Sequence, residues 1–141
     1  MHKHKNPHVG IALIIRRGDS VLLGKRLSQH GFGKWSCPGG HLELWESFED
    51  CAKRECLEEC GLVITKTNFL AVENTFFKEE GKHYVVIFLV ADFEGGMVSN
   101  IEPDKCSSWH WIKKENLPYL EMLPGLHQLL NRGVDIFATL V

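Results

Sequence analysis

The stretch from Ser47 to Gly61 announces both ends of a helix. Ser47 is a strong N-cap with Asp50 three residues on, as in a capping box, and Gly61 suits the left-handed position after the last turn. The expected helix runs from Ser47 to Cys60. At about 100° per residue, Glu55, Glu58 and Glu59 share a wedge of roughly 100° on it. Beside that wedge runs an i, i+4 row of Phe48, Ala52, Cys56 and Cys60, the natural core-facing stripe. Acids so placed work against the helix, because like charges at i, i+4 repel and the last turn favours Lys or Arg over Glu.

A divalent cation removes that conflict. Hard Mg²⁺ takes carboxylate and carbonyl oxygens, keeps some of its waters and accepts phosphate oxygens in the remaining positions. Arg54, four residues before Glu58 and on the same side, is placed to orient that carboxylate or to hold the preceding loop. Pro38-Gly39-Gly40 reads as a sharp turn whose glycines allow close backbone approach, with a carbonyl of Gly39 or Gly40 as an additional metal ligand.

Around this segment the chain alternates strands and helices. Val9 to Arg16, the Gly18-Asp19 turn and Val21-Leu22-Leu23 suggest a hairpin, Ser28 to Lys34 a loop, and Trp35 to Cys37 a short extended piece. Val63 to Glu73 and Tyr84 to Phe93 are rich in strand formers, with a polar connection at Glu79 to Lys82, and Ser108 to Ile112 is a further strand. Trp109 and Trp111 are expected on opposite faces of it, with at most one lining a pocket. A closing helix spans about Leu123 to Asn131, with Leu126, Leu129 and Leu130 at helical spacing. This order implies a layered α/β domain with a mixed sheet.

At 141 residues one compact domain is expected, 1–141, with 1–7 as a flexible tail and the cluster His2, His4, His8 given no function. No apolar run approaches the ~20 residues needed to span a bilayer. The net charge of −2 gives no general pull toward nucleic acid or anionic membrane, so a small phosphate-bearing ligand fits better than a duplex. Five cysteines without a CxxC pair, and a start that does not resemble a signal peptide, point to free thiols and a cytoplasmic protein.

Gly40, five residues, Glu46, seven residues, then Arg54-Glu55-Cys56-Leu57-Glu58-Glu59-Cys60-Gly61-Leu62 resembles the Nudix box in its fixed positions. Trp45 stands where the family usually has glycine, and Cys56 where it usually has a larger aliphatic residue. Leu22 to Arg26, Pro38 to Glu43, His83 to Val85 and Glu102 to Cys106 resemble the MutT-related branch over roughly residues 8 to 120. The resemblance implies an α/β/α sandwich, Mg²⁺ (or Mn²⁺) held by Glu55, Glu58 and Glu59, and frequent pairing as dimers. It also implies hydrolysis of nucleoside triphosphates, oxidised or modified ones included, to monophosphate and pyrophosphate. One of the glutamates, or Glu102, is the candidate general base, and His41, Lys25, Arg26 and Glu102 are candidates for substrate contact. Met122 to Gly125 replaces an aromatic pair that the branch usually places beside the base. Two alternatives stay open: hydrolysis of ADP-ribose or another diphosphate-linked nucleotide, and a non-catalytic Nudix-fold nucleotide sensor.

Overall fold

The computed structural model describes residues 6–139, so His2, His4 and most of the expected tail lie outside the described residues. Its elements are strands β1 (His8–Arg17), β2 (Ser20–Arg26), β3 (Trp35–Ser36) and β4 (Gly39–His41), helix α1 (Phe48–Cys60), strands β5 (Asn68–Phe77), β6 (Lys82–Asp92) and β7 (Cys106–Lys113), and helix α2 (Pro124–Asn131). Short 3-10 turns at Lys78–Glu80 and Lys114–Tyr119 complete the order.

β1 and β6 form the parallel centre of a mixed seven-stranded sheet, in register from His8 opposite Tyr84 to Arg16 opposite Asp92. Both strands are covered on both faces, which is why their sequences are near-continuous apolar runs. Ile11, Leu13, Ile15, Ile87 and Leu89 pack under α1 with Cys51, Ala52, Cys56 and Cys60. On the other face Ile14, Phe88 and Val90 meet Leu126 and Leu129 of α2. Helix, sheet and helix make the α/β/α sandwich that the resemblance implied.

The free edge of β1 is divided between two partners. β2 pairs with it only at Arg16 and Arg17 and then runs on with β3 and β7, while β4 takes Gly10 to Ala12 at the other end. The sheet therefore forks, and β1 floors the opening.

Four expectations change. Gly39 and Gly40 do not form a turn: they are strand residues of β4, and neither has a positive φ. The β5 strand begins at Asn68 rather than Val63, since the main chain at Thr65 and Thr67 is bonded by the side chains of Glu94 and Glu49 instead of a strand partner. His8, grouped by sequence with the tail histidines, is instead the first residue of β1. Trp109 and Trp111 both pack against the α1-side core, because residues two apart on a strand share a face.

Candidate active site

α1 keeps the ends read from its sequence. The Ser47 hydroxyl accepts from the Asp50 N–H at 3.1 Å, and Gly61 has φ 70° with its N–H bonded to the Leu57 carbonyl. Cys51, Ala52, Cys56 and Cys60 are buried, whereas Phe48 remains 43% exposed, so Cys51 takes the place expected of Phe48. On a wheel of about 100° per residue, the buried arc from Cys60 through Cys56 and Ala52 to Cys51 spans roughly half a turn, and Glu59 and Glu55 fall inside it. These two acids are part of the packed face. Glu58 lies beyond the arc, its side chain 53% exposed.

The arc presents Glu55 and Glu59 to the fork in the sheet, where a cleft of about 550 Å³ opens over Gly10, Ile11 and Ala12. Glu59 accepts a hydrogen bond from the Gly39 N–H at 2.9 Å. Burial, then the nearby Glu55 and Glu102 charges, outweigh that bond and push its carboxyl up to about 8. Glu55 lies against Gly40, where a Cβ would sit 2.5 and 2.6 Å from its carboxylate oxygens. Burial raises the Glu55 carboxyl too, although Arg54 opposes the shift.

Arg54 ties the helix to the loop before it. Its fork meets Glu46 at 2.8 and 2.9 Å, and it bonds Glu55 at 2.6 Å and the His41 carbonyl at 3.3 Å. Glu58 and Glu43 stand at 3.6 and 3.7 Å. These hydrogen bonds hold the Glu46 carboxyl down at about 2 and raise the guanidinium above its usual range. Arg54 does not line the cleft, so it acts by positioning Glu55 and the loop.

The other sequence candidates divide. Arg26, His41 and Glu102 line the cleft with the three glutamates; Lys25 does not, being exposed and next to Arg26 on a strand whose successive side chains point to opposite faces. Arg26 donates to the His30 carbonyl at 2.8 Å and the Ser28 hydroxyl at 2.9 Å. Glu102 pairs with Lys105 at 3.2 Å. His41 is held below the usual imidazole range by burial and by His8, Lys82 and His30, which disfavour a further positive charge.

Sequence reasoning missed the opposite end of the cleft, formed by His30, Phe77, Lys82 and Tyr84. Tyr84 is its hub, with ring centroids 5.5 to 5.8 Å from His8, His30, His41 and Phe77. Only the parallel register of β1 and β6 brings His8 and Tyr84 side by side, and no local spacing signals that. Leu123, Gly125 and Leu126 close the cleft from the α2 side, an apolar wall in place of the aromatic pair.

A hard divalent cation suits these acids. Glu55 and Glu59 are carboxylates whose charge burial opposes, and a cation between them would relieve it. Among the described residues no three His, Cys, Asp or Glu side chains already close on one point. Mg²⁺, which takes carboxylate oxygens while retaining water, is the kind of cation such carboxylates would suit.

A forked mixed sheet between two helices, with a glycine strand against a helix carrying half-buried glutamates, defines a protein class, and the comparisons with known proteins agree on which. The NUDIX domain profile matches residues 4–132, and the chain belongs to the Nudix hydrolase family. Nudix hydrolases generally use divalent metals. The chain is 28% identical over 110 residues to the NAD-capped RNA hydrolase NudC of Vibrio cholerae, covering 77% of this chain but only 38% of that one. It is 30% identical over 115 residues to the oxidized purine nucleoside triphosphate hydrolase of Danio rerio, covering 79% of this chain and 69% of the relative. Among solved structures, a MutT NUDIX hydrolase from Burkholderia pseudomallei superposes with a TM-score of 0.84 at 27% identity, over 92% of this chain and 99% of that one. No helix among the described residues is long and apolar enough to cross a membrane.

Proposed function

We propose that this chain is a Mg²⁺-dependent hydrolase of nucleoside triphosphates, oxidised or modified ones included, releasing the monophosphate and pyrophosphate. The observation that carries the proposal is the placement of Glu55 and Glu59 inside the packed arc of α1 at a cleft. Holding two half-buried acids together is unfavourable, and since Arg54 reaches Glu55 but not Glu59, a cation in the cleft would relieve what remains. The Danio rerio relative supports the triphosphate reading.

In this reading Glu55, Glu58 and Glu59, with a carbonyl of Gly39 or Gly40, hold Mg²⁺, and Mn²⁺ can replace it. When bound, the metal neutralises phosphate oxygens and lowers the pKa of the attacking water. Arg54 fixes the Glu55 carboxylate. Arg26, the one guanidinium lining the cleft among the described residues, and His41 contact the substrate phosphates or ribose. Glu102 accepts the proton of the attacking water, with Lys105 keeping it in place. Residues 1–141 form one Nudix domain in the proposal, and the protein is a cytoplasmic homodimer, which sedimentation would test.

A second reading, cleavage of a nucleoside diphosphate linked to another group such as a ribose or second nucleoside, uses the same site. The likeness to NudC supports it, as does the extension of the cleft past Arg26 to His30, Phe77 and Tyr84, where a second moiety has room. Incubation with Mg²⁺, with and without EDTA, and a panel of ordinary and oxidised triphosphates, ADP-ribose and dinucleotides decides among these readings by product identity. Turnover of triphosphates to monophosphate and pyrophosphate bears out the first. Tight binding without turnover of any panel member would establish the sensor and overturn catalysis.

A further inference from the structure

Asn100 carries an oxygen that the fold leaves unmet. It lies between β6 and β7, and its side-chain Nδ2 donates to the Cys106 carbonyl at 2.8 Å and to the Ser107 carbonyl at 3.2 Å. Carbonyl oxygens only accept, so the end of the amide that meets two of them is its nitrogen. Oδ1 must then face the other way. Among the described residues it is the one buried side-chain oxygen or nitrogen without a hydrogen-bond partner. A buried acceptor left so keeps the full cost of losing its water, and native folds rarely leave that cost standing.

Main-chain bonds put this amide beside the glutamates. Both neighbours of Asn100 are fastened to the last turn of α1: the Ser99 N–H donates to the Cys60 carbonyl at 2.9 Å, and the Ile101 N–H to the Glu59 carbonyl at 3.2 Å. Asn100 itself lines the cleft with Glu55, Glu59 and Glu102. The donors there are already engaged. Trp109 Nε1 bonds the Glu59 carbonyl at 3.3 Å, Lys105 bonds Glu102 at 3.2 Å, and the Gly39 N–H bonds the Glu59 carboxylate at 2.9 Å. Ionised, the three carboxylates can only accept. An amide oxygen among carboxylates therefore calls for a partner that is positive. Hard divalent cations take carboxylate and carbonyl oxygens together, and Mg²⁺ keeps waters that donate outward.

We propose that Asn100 Oδ1 belongs to the metal site of this cleft, as an oxygen that ligates the divalent cation or accepts from a water held on it. This rests on the reading that Glu55 and Glu59 hold a cation there. The amide is fixed in advance for the task, because Nδ2 is anchored to two carbonyls at the end of the loop that carries Glu102. The same loop is closed by the Lys105 and Cys106 N–H groups on the Glu102 carbonyl, at 3.0 and 3.3 Å. Cation binding and the position of Glu102 are thereby linked through one side chain.

Mn²⁺ is the probe for the test. Its affinity for the full chain without nucleotide is read from the free Mn²⁺ electron paramagnetic resonance signal, in wild type, Glu59→Gln and Asn100→Leu. Its location comes from anomalous scattering in wild-type crystals grown with Mn²⁺. The inference expects binding to be lost in Glu59→Gln and weakened roughly 10- to 100-fold in Asn100→Leu, with Oδ1 touching the metal or a water on it. A metal-free melt shows whether Asn100→Leu folds, and the wild-type crystal decides alone if it does not. Affinity within about twofold of wild type in folded Asn100→Leu overturns the inference. So does weakened affinity with Oδ1 bonded away from the metal, since Asn100 is then only a brace for its loop. Either result leaves the glutamates as ligands; no Mn²⁺ binding by wild type, or equal binding by Glu59→Gln, sinks the metal reading and this inference with it.

Discussion

Gly39 and Gly40 are adjacent in β4, yet adding a methyl group to each should have opposite consequences. At Gly40 the new Cβ would lie 2.5 and 2.6 Å from the carboxylate oxygens of Glu55. Ordinary contact lies near 3.5 Å, so the carboxylate must retreat by roughly 1 Å. It is the free end of a flexible side chain, so the fold tolerates this, but a misplacement of that size costs about 10²-fold in rate, or about 2.7 kcal/mol of barrier. At Gly39 the Cβ would run into the Ile11 carbonyl oxygen and sit 3.0 Å from the Ala12 Cα, both backbone atoms of β1 at the sheet's centre. No rotamer relieves that clash, and overpacking of this kind costs about 1–3 kcal/mol. Thermal melting in EDTA and initial rates across a Mg²⁺ titration separate the two effects. Gly40→Ala is expected to melt within a few degrees of wild type while losing about 10²-fold in rate, and Gly39→Ala to melt well below both. A Gly40→Ala enzyme within threefold of the wild-type rate at equal Mg²⁺, or one as destabilised as Gly39→Ala, would refute the assignment of Gly40 as room for the Glu55 carboxylate.

Arg54→Lys keeps the charge but not the fork that meets Glu46 at 2.8 and 2.9 Å, so activity should fall about 10- to 100-fold, as when a supporting hydrogen bond behind a metal ligand is lost; steady-state rates at saturating Mg²⁺ check this. Glu59→Gln should abolish Mg²⁺-dependent turnover, whereas Glu58→Gln, at the exposed edge of the arc, should be milder in the same assay. Metal-free melting adds a pH test: the folded Glu59 carboxyl is raised from 4.5 to about 8, so the folded state binds the extra proton and the wild type should lose stability as pH rises through that window. That slope should flatten in Glu59→Gln. Leu129→Ala, fully buried between α2 and the sheet and far along the chain from the glutamates, should lose about 2–5 kcal/mol in denaturant unfolding while the folded fraction keeps its rate.

What the sequence disclosed follows the range over which each residue acts. Ser47 and Gly61 act within one turn of their own helix, and both ends of α1 lie where those residues put them. The two-faced burial of β1 and β6 is equally local, an unbroken run of apolar side chains. Gly39 and Gly40 are different. Their missing Cβ atoms answer to Ile11 on β1 and Glu55 on α1, so in sequence they resemble any turn-forming pair. Val63 to Thr67 carries strand formers, but a strand exists only where a neighbour supplies a ladder, and Glu94 and Glu49 take up the main chain there first. The Tyr84 cluster lay beyond reach for the same reason, since it depends on which strands lie side by side.

The glutamates show how angle alone can be right and still incomplete. Spacing puts Glu55, Glu58 and Glu59 in one wedge, but it cannot tell which edge of that wedge the sheet will cover. The fork between β2 and β4 decides it. Glu59 goes under cover to the Gly39 N–H, Glu55 goes against Gly40, and Glu58 stays at the rim within 3.6 Å of Arg54. The three acids therefore differ in solvation before any ligand arrives. The two that burial makes reluctant to ionise lie where a cation would act most strongly, and the third is half exposed beside Arg54. A helix bearing the same acids over an unforked sheet would have no opening between strands beside them. The site thus depends as much on the divided edge of β1 as on the residues of α1.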